Sequence, residues 1–396
     1  MLDQLRSGEL SVSEPRGTVA LFEEEFARFH GMPYALSAGS GTAALHAAYF
    51  ALDLEAGDEV LAPTYTHLAT VLPMLHVGLV PVLCDVEEDS GNIDIADAER
   101  RLSDRTRAIV VTHQYGRICD VSATLALAER AGLRVIEDCS HAHGATRQGR
   151  LAGTFGDIAC FSLQAEKAVP AGEGGILISR DARLFERASL LGHFRRPTPA
   201  TSRRLAPFVE TGYGLKSRLH PLAAALARVQ LRKLPERIEL RAANLRRLEE
   251  GLAGVPGVEP LPTPAESSRG GCFRFVLRYA AAELSGLRLD RYVEALHAEG
   301  AVEARPGHLV KPLHLTPLLQ TLDDHMYRSG WPRRGPHITR ERKYRDGDFP
   351  GAERFSAGTL QLPAFTDPDG RIVEAYVRAM GKLGDWAAEL AEGLPA

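Results

Sequence analysis

The sequence predicts an α/β protein built on a mostly parallel β-sheet with helices on both faces, followed by a smaller α+β domain. Short apolar runs such as Ala108–Val111 and Gly175–Ile178 recur along the first half of the chain, and helical patterns separate them. Strands that are apolar throughout are typical of a parallel sheet covered on both faces, because an exposed face would carry polar residues at every second position.

Strands and helices alternate along this first half. Residues Val19–Phe29 carry apolar groups at helical spacing with acids between them, which indicates an amphipathic helix. Strands are expected at Tyr34–Leu36, Val60–Pro63, Val80–Asp85, Ala108–Val111, Arg134–Asp138, Ile158–Ser162 and Gly175–Ile178. Further helices are expected at Ala43–Phe50, Thr66–His76, Ile95–Leu102 and Ser122–Ala131.

A second domain is expected after residue 250. The helical stretch Pro221–Leu252 is interrupted by Pro235, and the turn-rich segment Gly254–Pro264 that follows it marks a boundary. We therefore predict a large domain over residues 1–250 and a small domain over residues 251–396. The small domain is expected to contain a strand at Phe273–Leu277, helices at Leu289–Ala298 and Pro368–Ala391, and a basic, irregular and mobile segment at Gly330–Gly347.

The composition argues against several classes of protein. The formal net charge of -4 argues against a nucleic-acid or membrane-surface partner. No apolar run approaches the ~20 residues that span a bilayer, and the N-terminal residues lack the order of a secretion signal, so a cytoplasmic protein is expected. The five cysteines have no C-x-x-C spacing and are expected to be buried free thiols, and the 14 histidines form no zinc motif, so no metal is expected.

The candidate catalytic residue is Lys167. The chain has 47 basic residues, but its lysines are only Lys167, Lys216, Lys233, Lys311, Lys343 and Lys382. Arginine stays protonated, whereas a desolvated lysine amine can lose its proton and attack a carbonyl carbon. The one lysine in the first half of an arginine-rich chain is therefore a candidate imine-forming residue, with a surface lysine of no special role as the alternative.

A predicted strand, a glycine loop and a helix N-terminus follow one another over residues 34–50. Such a junction binds anions, because free N–H groups and the helix dipole converge there. The loop also fits the G-x-G-x-x-A pattern of dinucleotide-binding folds, which place an acid at the end of the next strand. Here Asp58 and Glu59 precede that strand, so the sequence favours a phosphate site, and a dehydrogenase is the weakest alternative.

Four features fall at the carboxyl ends of predicted strands, where ligands gather in parallel sheets. They are Gly41-Thr42, Thr64–His67, Asp138 with His141, and Ser162–Lys167. The first could hold a phosphate, with Ser162 and Gln164 as further donors, and the ring of His67 could lie over a flat heterocycle. Asp138 could pair with a protonated ring nitrogen, and Lys167 could react with an aldehyde. Pyridoxal phosphate is the cofactor that carries all of these groups.

Each of these residues also has a simpler interpretation. Asp138 could cap a helix, His67 could be an ordinary loop histidine, and Ser162 an ordinary strand-end hydroxyl. His141 and His143 could be polar residues hydrogen-bonded within a turn. Their joint order along the chain favours a shared site.

Taken together, these segments resemble the DegT/StrS family of pyridoxal-phosphate-dependent sugar aminotransferases, which have the fold type I architecture. The resemblance runs from about residue 17 to the C-terminus. It rests on Ser40–Leu45, Gly57–Val60, Pro63–Thr70, Glu137–Ala145, Phe161–Lys167, Gly172–Gly175 and, more loosely, Pro312–Pro317.

The resemblance implies an enzyme that moves an amino group from glutamate or glutamine to a keto-sugar, expected to be nucleotide-linked, or to a keto-cyclitol. The pathway would make cell-surface polysaccharides or secondary metabolites. A homodimer is implied as well, since fold type I sites lie at a subunit interface. Two alternatives remain open: a pyridoxal-phosphate enzyme that catalyses elimination, replacement or cyclisation on an amino acid, and a non-catalytic sensor on the same fold.

The resemblance also implies a role for each site residue. Lys167 would form the imine with the cofactor and later shuttle a proton, and Asp138 would pair with the pyridine nitrogen. The phosphate would be held by Gly41, Thr42 and Ser162, with Gln164 near it. His67 and His141 stand where the family usually has an aromatic carbocycle and a glutamine; His67 would stack on the cofactor ring, and His141 would bond on the side of its 3-oxygen.

Other departures from the family pattern concern charged residues. Lys216 stands in a segment that usually supplies an asparagine to the neighbouring subunit's phosphate, and it is expected to replace that donor or to be solvated. Glu166 is expected to face away from the site, since neighbours on an extended segment alternate sides. The nearby arginines could bind a nucleotide diphosphate, although a solvated charge run is the simpler interpretation; they are Arg195, Arg196, Arg203 and Arg204.

Overall fold

The computed structural model describes residues 1–11, 16–196, 202–320 and 343–392, so most of the segment Gly330–Gly347 lies outside the described residues. Within the described ranges the strands are β1 Tyr34–Ala38, β2 Glu59–Pro63, β3 Val80–Cys84, β4 Thr106–Thr112, β5 Arg134–Asp138, β6 Thr146–Arg147, β7 Arg150–Leu151, β8 Ile158–Ser162, β9 Gly175–Ser179, β10 Val258–Pro260, β11 Ser267–Ser268, β12 Arg274–Tyr279, β13 Arg305–Pro306 and β14 Thr359–Pro363.

The helices of the same ranges are α1 Leu2–Ser7, α2 Gly17–His30, α3 Gly41–Ala51, α4 Leu68–His76, α5 Ile95–Arg100, α6 Val121–Ala131, α7 Ala182–Gly192, α8 Pro221–Arg232, α9 Leu234–Gly251, α10 Leu289–Ala298, α11 Pro317–Gln320, α12 Pro350–Ala357, α13 Arg371–Asp385 and α14 Ala387–Glu392. Short 3-10 turns lie at Gln114–Gly116, Ala206–Phe208, Ala281–Leu284, Gly307–Leu309 and Leu313–Leu315.

The central sheet has the strand order β1-β9-β8-β5-β4-β2-β3. Neighbours from β3 to β8 are parallel, whereas β9 is antiparallel to both β8 and β1. The predicted mostly parallel sheet is confirmed, and the ends of its strands differ from the predicted ones by at most two residues.

Both faces of this sheet are buried, as the apolar strands predict. Alternate residues of a strand point to opposite faces. In β4, Ile109 and Val111 therefore pack with helices α2, α6 and α8, whereas Ala108 and Val110 pack with α3, α4 and α7. Each face thus has its own apolar core. The polar residues described below lie between these cores, at the carboxyl ends of the parallel strands.

A second, four-stranded sheet has the order β10-β12-β14-β13 and packs on α9, α10 and α13 around a third apolar core. The predicted helical stretch Pro221–Leu252 is interrupted at Lys233, and Pro235 lies in the first turn of α9, where a missing N–H costs nothing. The domain boundary at residue 250 stays a prediction.

Two further features concern the chain as a whole. All five cysteines are buried and carry no disulfide. In the described part of the chain, no helix has the length and apolar character needed to cross a membrane.

Candidate active site

Three strand ends meet where the parallel strands of the central sheet finish, and we call this end of the sheet the site edge. Gly175, at the start of β9, pairs with Ala38 at the end of β1 and with Ser162 at the end of β8. Asp138, at the end of β5, pairs with Cys160 in the next strand. Because these strands share the edge, the structure brings the glycine loop, Asp138 and the segment that starts at Ser162 together.

The carboxylate of Asp138 is buried and held in one orientation. Its side chain is only 3% exposed. The Thr70 hydroxyl donates to Oδ2 at 2.6 Å, and the Ser140 N–H donates to Oδ1 at 3.1 Å. Thr66 lies 2.8 Å from Thr70 and extends this hydroxyl network. Asp138 therefore does not cap a helix, as the simpler interpretation would have it, but is oriented by side chains of α4 and by its own turn.

The N-terminus of α3 forms an anion cradle against β8. Ser40 caps the helix by accepting a hydrogen bond from the Ala43 N–H at 3.0 Å, which leaves the earlier amides of Gly41 and Thr42 without an acceptor in their own helix. A Cβ on Gly41 would stand 3.0 Å from Cβ of Ser162. The backbone of α3 and the Ser162 side chain therefore face each other at close range, as an anion site requires.

The amine of Lys167 lies in a partly buried position above an aromatic ring. Its Nζ is 3.8 Å from the centroid of the Phe273 ring, which is cation–π distance. Burial lowers the pKa of Lys167 to about 8; the negative charges of Asp138 and Glu166 oppose this shift, and the positive charge of Arg274 adds to it. The amine is therefore easier to deprotonate than an ordinary lysine, as an imine-forming residue requires.

The Phe273 ring is the end of an aromatic stack that includes His141. The rings of His141 and Phe273 stack at 4.5 Å, and Tyr115 stacks on the other face of His141 at 5.4 Å. Burial and the nearby Lys167 charge hold the pKa of His141 well below its usual range, so this ring is neutral. His143, two residues further on, packs against Phe161, and burial lowers its pKa to about 3.

Tyr115 was not identified from the sequence. Its backbone is left-handed, with φ 52° and ψ 34°, which costs a non-glycine residue on the order of 1–3 kcal/mol. Its hydroxyl lies 2.9 Å from that of Tyr65 and accepts a hydrogen bond from Gln361 at 2.9 Å. Gln361 belongs to β14, so this bond ties the site edge to the second sheet.

Three other predicted site residues lie at the periphery. His67 is exposed at the N-terminus of α4, where its Nδ1 accepts a hydrogen bond from the Ala69 N–H at 3.2 Å. Gln164 accepts a hydrogen bond from the Glu166 N–H at 2.9 Å. Lys216 is exposed in a segment whose next residue, Ser217, accepts a hydrogen bond from the N–H of Gly39 at 2.6 Å.

The prediction that Glu166 faces away from the site is wrong. The segment is a turn, not an extended strand, because the Lys167 N–H donates to the carbonyl of Gln164 at 2.9 Å. The turn directs the Glu166 carboxylate toward Arg274, with 3.6 Å between Oε2 and Nη2. Arg274 begins β12 and lies directly after Phe273, and nothing in the sequence pointed to either residue.

The arginines near residue 200 do not behave as one solvated run. Arg196 is buried, at 8% exposure, and pairs with Glu23 of α2 through both ends of its guanidinium. Arg195 pairs with Glu210 at 2.7 Å. Arg203 and Arg204 are exposed. The solvated interpretation is therefore wrong for Arg196, which fixes α2 to this segment.

A buried charged pair lies directly behind Asp138. Among the described residues, His113, Glu137 and Cys139 are the one His/Cys/acid cluster with ligand atoms within 4.8 Å of one another. The carboxylate of Glu137 already accepts bonds from His113 at 2.9 Å and from the amides of Gly153, Phe155 and Gly156. These bonds hold its pKa below the usual range despite burial. We interpret the cluster as an ion pair that fixes strand β5.

The loosely matching motif Pro312–Pro317 reaches the same edge of the sheet. Its buried His314 lies 2.9 Å from the Thr64 hydroxyl through Nδ1 and 2.8 Å from Glu353 through Nε2. The Leu313 N–H also donates to the carbonyl of Thr64 at 2.7 Å. These bonds dock the segment at the end of β2, beside the loop that carries His67.

A sequence model of the DegT/DnrJ/EryC1/StrS aminotransferase family matches residues 3–330. The chain belongs to this family. The resemblance drawn from the motifs is confirmed, and the chain is an aminotransferase with the fold type I architecture.

Named relatives agree with this membership of the DegT/DnrJ/EryC1/StrS family. An L-glutamine:2-deoxy-scyllo-inosose aminotransferase of Streptomyces fradiae is 37% identical over 322 residues, 78% of this chain and 73% of the relative. A relative of the same name from Streptoalloteichus tenebrarius is 35% identical over 318 residues, 78% of this chain and 74% of the relative. The crystal structure of DesV from S. venezuelae, in complex with a ketimine intermediate, superposes with a TM-score of 0.79 at 27% identity and covers 98% of this chain and 92% of DesV.

Proposed function

We propose that this aminotransferase uses pyridoxal phosphate to move the amino group of L-glutamine to a keto-cyclitol in secondary-metabolite biosynthesis. The observation that carries the proposal is the meeting of three groups at one sheet edge: the Lys167 amine, the oriented carboxylate of Asp138 and the N-terminus of α3. The names of the two relatives support the donor and the class of acceptor.

The residues at this edge fit the cofactor. The amides of Gly41 and Thr42 and the Ser162 hydroxyl would hold the phosphate, with Gln164 and the exposed Lys216 as further candidates. Asp138, whose carboxylate is already oriented by two hydrogen bonds, would accept a hydrogen bond from a pyridinium N–H. His67 and the neutral His141 would flank the ring and its 3-oxygen. When bound, pyridoxal phosphate supplies an aldehyde that condenses with amines and a ring that accepts electrons from the adjacent carbon.

Lys167 would carry the protons of the reaction. Its pKa of about 8 allows a useful fraction of neutral amine near neutral pH, so Nζ can both accept a proton from the donor's α-carbon and return one. The stack of Tyr115, His141 and Phe273 covers one side of this amine and limits water there.

Two of the four arginines near residue 200 are paired with carboxylates, whereas Arg203 and Arg204 are exposed; the two pairs favour a keto-cyclitol over a nucleotide-linked keto-sugar as the acceptor. In the sequence, these arginines were the candidates for binding a nucleotide diphosphate. Arg196 is committed to Glu23 in a buried pair, and Arg195 pairs with Glu210. A free cyclitol needs no diphosphate site.

A homodimer is part of the proposal. Large apolar side chains lie exposed on the segment before Lys216: Phe208 is 50% exposed, Tyr213 62% and Leu215 45%. Exposed apolar side chains grouped in this way are typical of a protein interface. Lys216 directly follows these side chains and is exposed as well. Light scattering of the purified protein should give twice the chain mass, and a monomer carrying full activity would contradict this part.

The test follows the two half-reactions separately. The protein loaded with pyridoxal phosphate should lose its visible absorbance on addition of L-glutamine and regain it with 2-deoxy-scyllo-inosose. Nucleotide-linked keto-sugars should restore it at least tenfold more slowly. Lys167→Arg should abolish both changes, whereas Lys233→Arg, on an exposed site, should keep them. Loss of absorbance without recovery on any keto-cyclitol or keto-sugar would refute the transfer and favour another reaction on the amino acid.

A further inference from the structure

Arg274 is a buried cation with little to neutralise it. The residue is only 7% exposed. Among the described residues its single ion pair is with Glu166, and at 3.6 Å this contact is longer than a hydrogen bond. Glu166 is itself half-exposed, so its charge is partly screened by water. A guanidinium in such a position is costly unless a further anion pairs with it.

Arg274 and Lys167 share one aromatic ring. The Lys167 amine lies 3.8 Å from the centroid of Phe273, and the guanidinium carbon of Arg274 lies 5.3 Å from the same centroid. The two cations are therefore separated by no more than the sum of these distances. Burial, together with the positive charge of Arg305, lowers the pKa of Arg274, although the charges of Glu166 and Glu303 oppose this shift.

An amino-acid donor matches this arrangement. Its α-nitrogen must reach the place of the Lys167 amine, and its carboxylate lies two bonds away from that nitrogen. A guanidinium binds a carboxylate through two parallel hydrogen bonds, which fixes position as well as charge. The carboxylate of Glu166 has the same chemistry and already lies next to the guanidinium.

We propose that Arg274 binds the α-carboxylate of the amino donor and that Glu166 occupies Arg274 until the donor displaces it. The inference rests on the proposed function, because it assumes an amino-acid donor. It assigns the donor to the start of β12 and makes Glu166 an internal competitor of the substrate. A nucleotide diphosphate fits less well, since on a nucleotide-linked sugar it is separated from the reacting carbon by part of the sugar ring.

The experiment compares the two half-reactions in Arg274→Gln. The KM for L-glutamine should rise by about fiftyfold or more, while the reaction of the pyridoxamine-phosphate-loaded variant with 2-deoxy-scyllo-inosose should change less than twofold. Arg274→Lys should recover part of the loss. Arg278→Gln is the matched control, because Arg278 lies on the same strand but is exposed and pairs with Asp89 and Glu259. It should leave both half-reactions unchanged.

Glu166→Gln should change the KM for L-glutamine in the opposite direction. Removing the internal competitor should lower the KM for L-glutamine several-fold, whereas Glu129→Gln, on an exposed helix site, should not. Binding of glutaramate, which is glutamine without its amino group, should change in the same direction as the KM when it is measured by calorimetry on the pyridoxal-phosphate-loaded protein. It should be tight in Glu166→Gln, weaker in the wild type and lost in Arg274→Gln.

Three outcomes would overturn the inference. An unchanged KM in Arg274→Gln would remove Arg274 from donor binding. Equal losses in both half-reactions would indicate a structural role, and a loss confined to nucleotide-linked acceptors would indicate a diphosphate site. Failure of the proposed function looks different: the wild type would then not respond to L-glutamine at all, while glutaramate binding lost in Arg274→Gln would still support the carboxylate site.

Discussion

The pKa of Lys167 gives the most direct test of the site without its cofactor. An ordinary lysine has a pKa of 10.5, and burial lowers that of Lys167 to about 8. At pH 7 about one amine in ten is then neutral, against roughly one in three thousand for the ordinary side chain. This is a ~300-fold gain in reactive amine, since each pH unit is a factor of ten.

The direction of the shift in variants tests its cause. Burial lowers the pKa, the carboxylates of Asp138 and Glu166 raise it, and Arg274 lowers it. Asp138→Asn should therefore lower the pKa further, because it removes a buried negative charge. Arg274→Gln should raise it. Glu166→Gln should lower it by less than Asp138→Asn does, because water screens the half-exposed Glu166.

The assay is brief labelling of the apoprotein with an amine-reactive reagent between pH 6 and pH 10, followed by peptide mass spectrometry. A small lysine analogue in the same tube corrects for the pH dependence of the reagent. Labelling of Lys167 should reach its midpoint near pH 8. A midpoint near 10.5, or a midpoint that falls in Arg274→Gln, would refute the electrostatic account of this amine.

Two further predictions concern the framework of the site. Gly175→Ala should weaken binding of pyridoxal phosphate to the apoprotein by about tenfold (about 1.4 kcal/mol), because the new Cβ would stand 2.3 Å from the Ser40 carbonyl oxygen and 2.6 Å from the Gly41 amide nitrogen and so displace the start of α3. Gly39→Ala, whose Cβ would meet nothing closer than 3.6 Å, should bind normally, and equal affinities would contradict the cradle. Glu137→Gln should destabilise the apoprotein by about 3 kcal/mol, because it breaks a buried pair, and should lower its Tm by roughly 4 °C for a chain of this length. Glu129→Gln is the exposed control, and a matching Tm in both variants would show that the pair with His113 contributes little.

Much of the large sheet could be predicted from the sequence, because its strands are apolar on both faces. Ile158–Ser162 and Arg134–Asp138 begin and end where the pattern placed them. The direction of β9 could not be predicted. An apolar run contains no information on strand direction, and β9 is reached from β8 through the irregular segment 163–174, which the strand pattern does not describe.

The candidate site also has residues that could be predicted from the sequence and residues that could not. Asp138, Ser162 and Lys167 could be predicted because each follows an apolar strand in chain order. Glu166 was misplaced because the sequence does not show that residues 164–167 form a turn. Phe273 and Arg274 were missed because they are far from Lys167 and Glu166 in sequence and meet them only in the folded chain. Tyr115 was missed because its contacts with His141 and Gln361 are also tertiary.

The pairing of β1 has a consequence for the way this chain is made. β1 lies at the edge of the sheet and its one neighbour, β9, follows most of the large domain in chain order. The glycine loop after β1 is also closed from outside, by the bond from Gly39 to the carbonyl of Ser217. During synthesis β1 therefore has no strand partner until β9 has been made, and the loop after β1 stays open until Ser217 follows. Phe273 and Gln361, which complete the other side of the site, come later still, so the full pocket forms only when most of the chain is available.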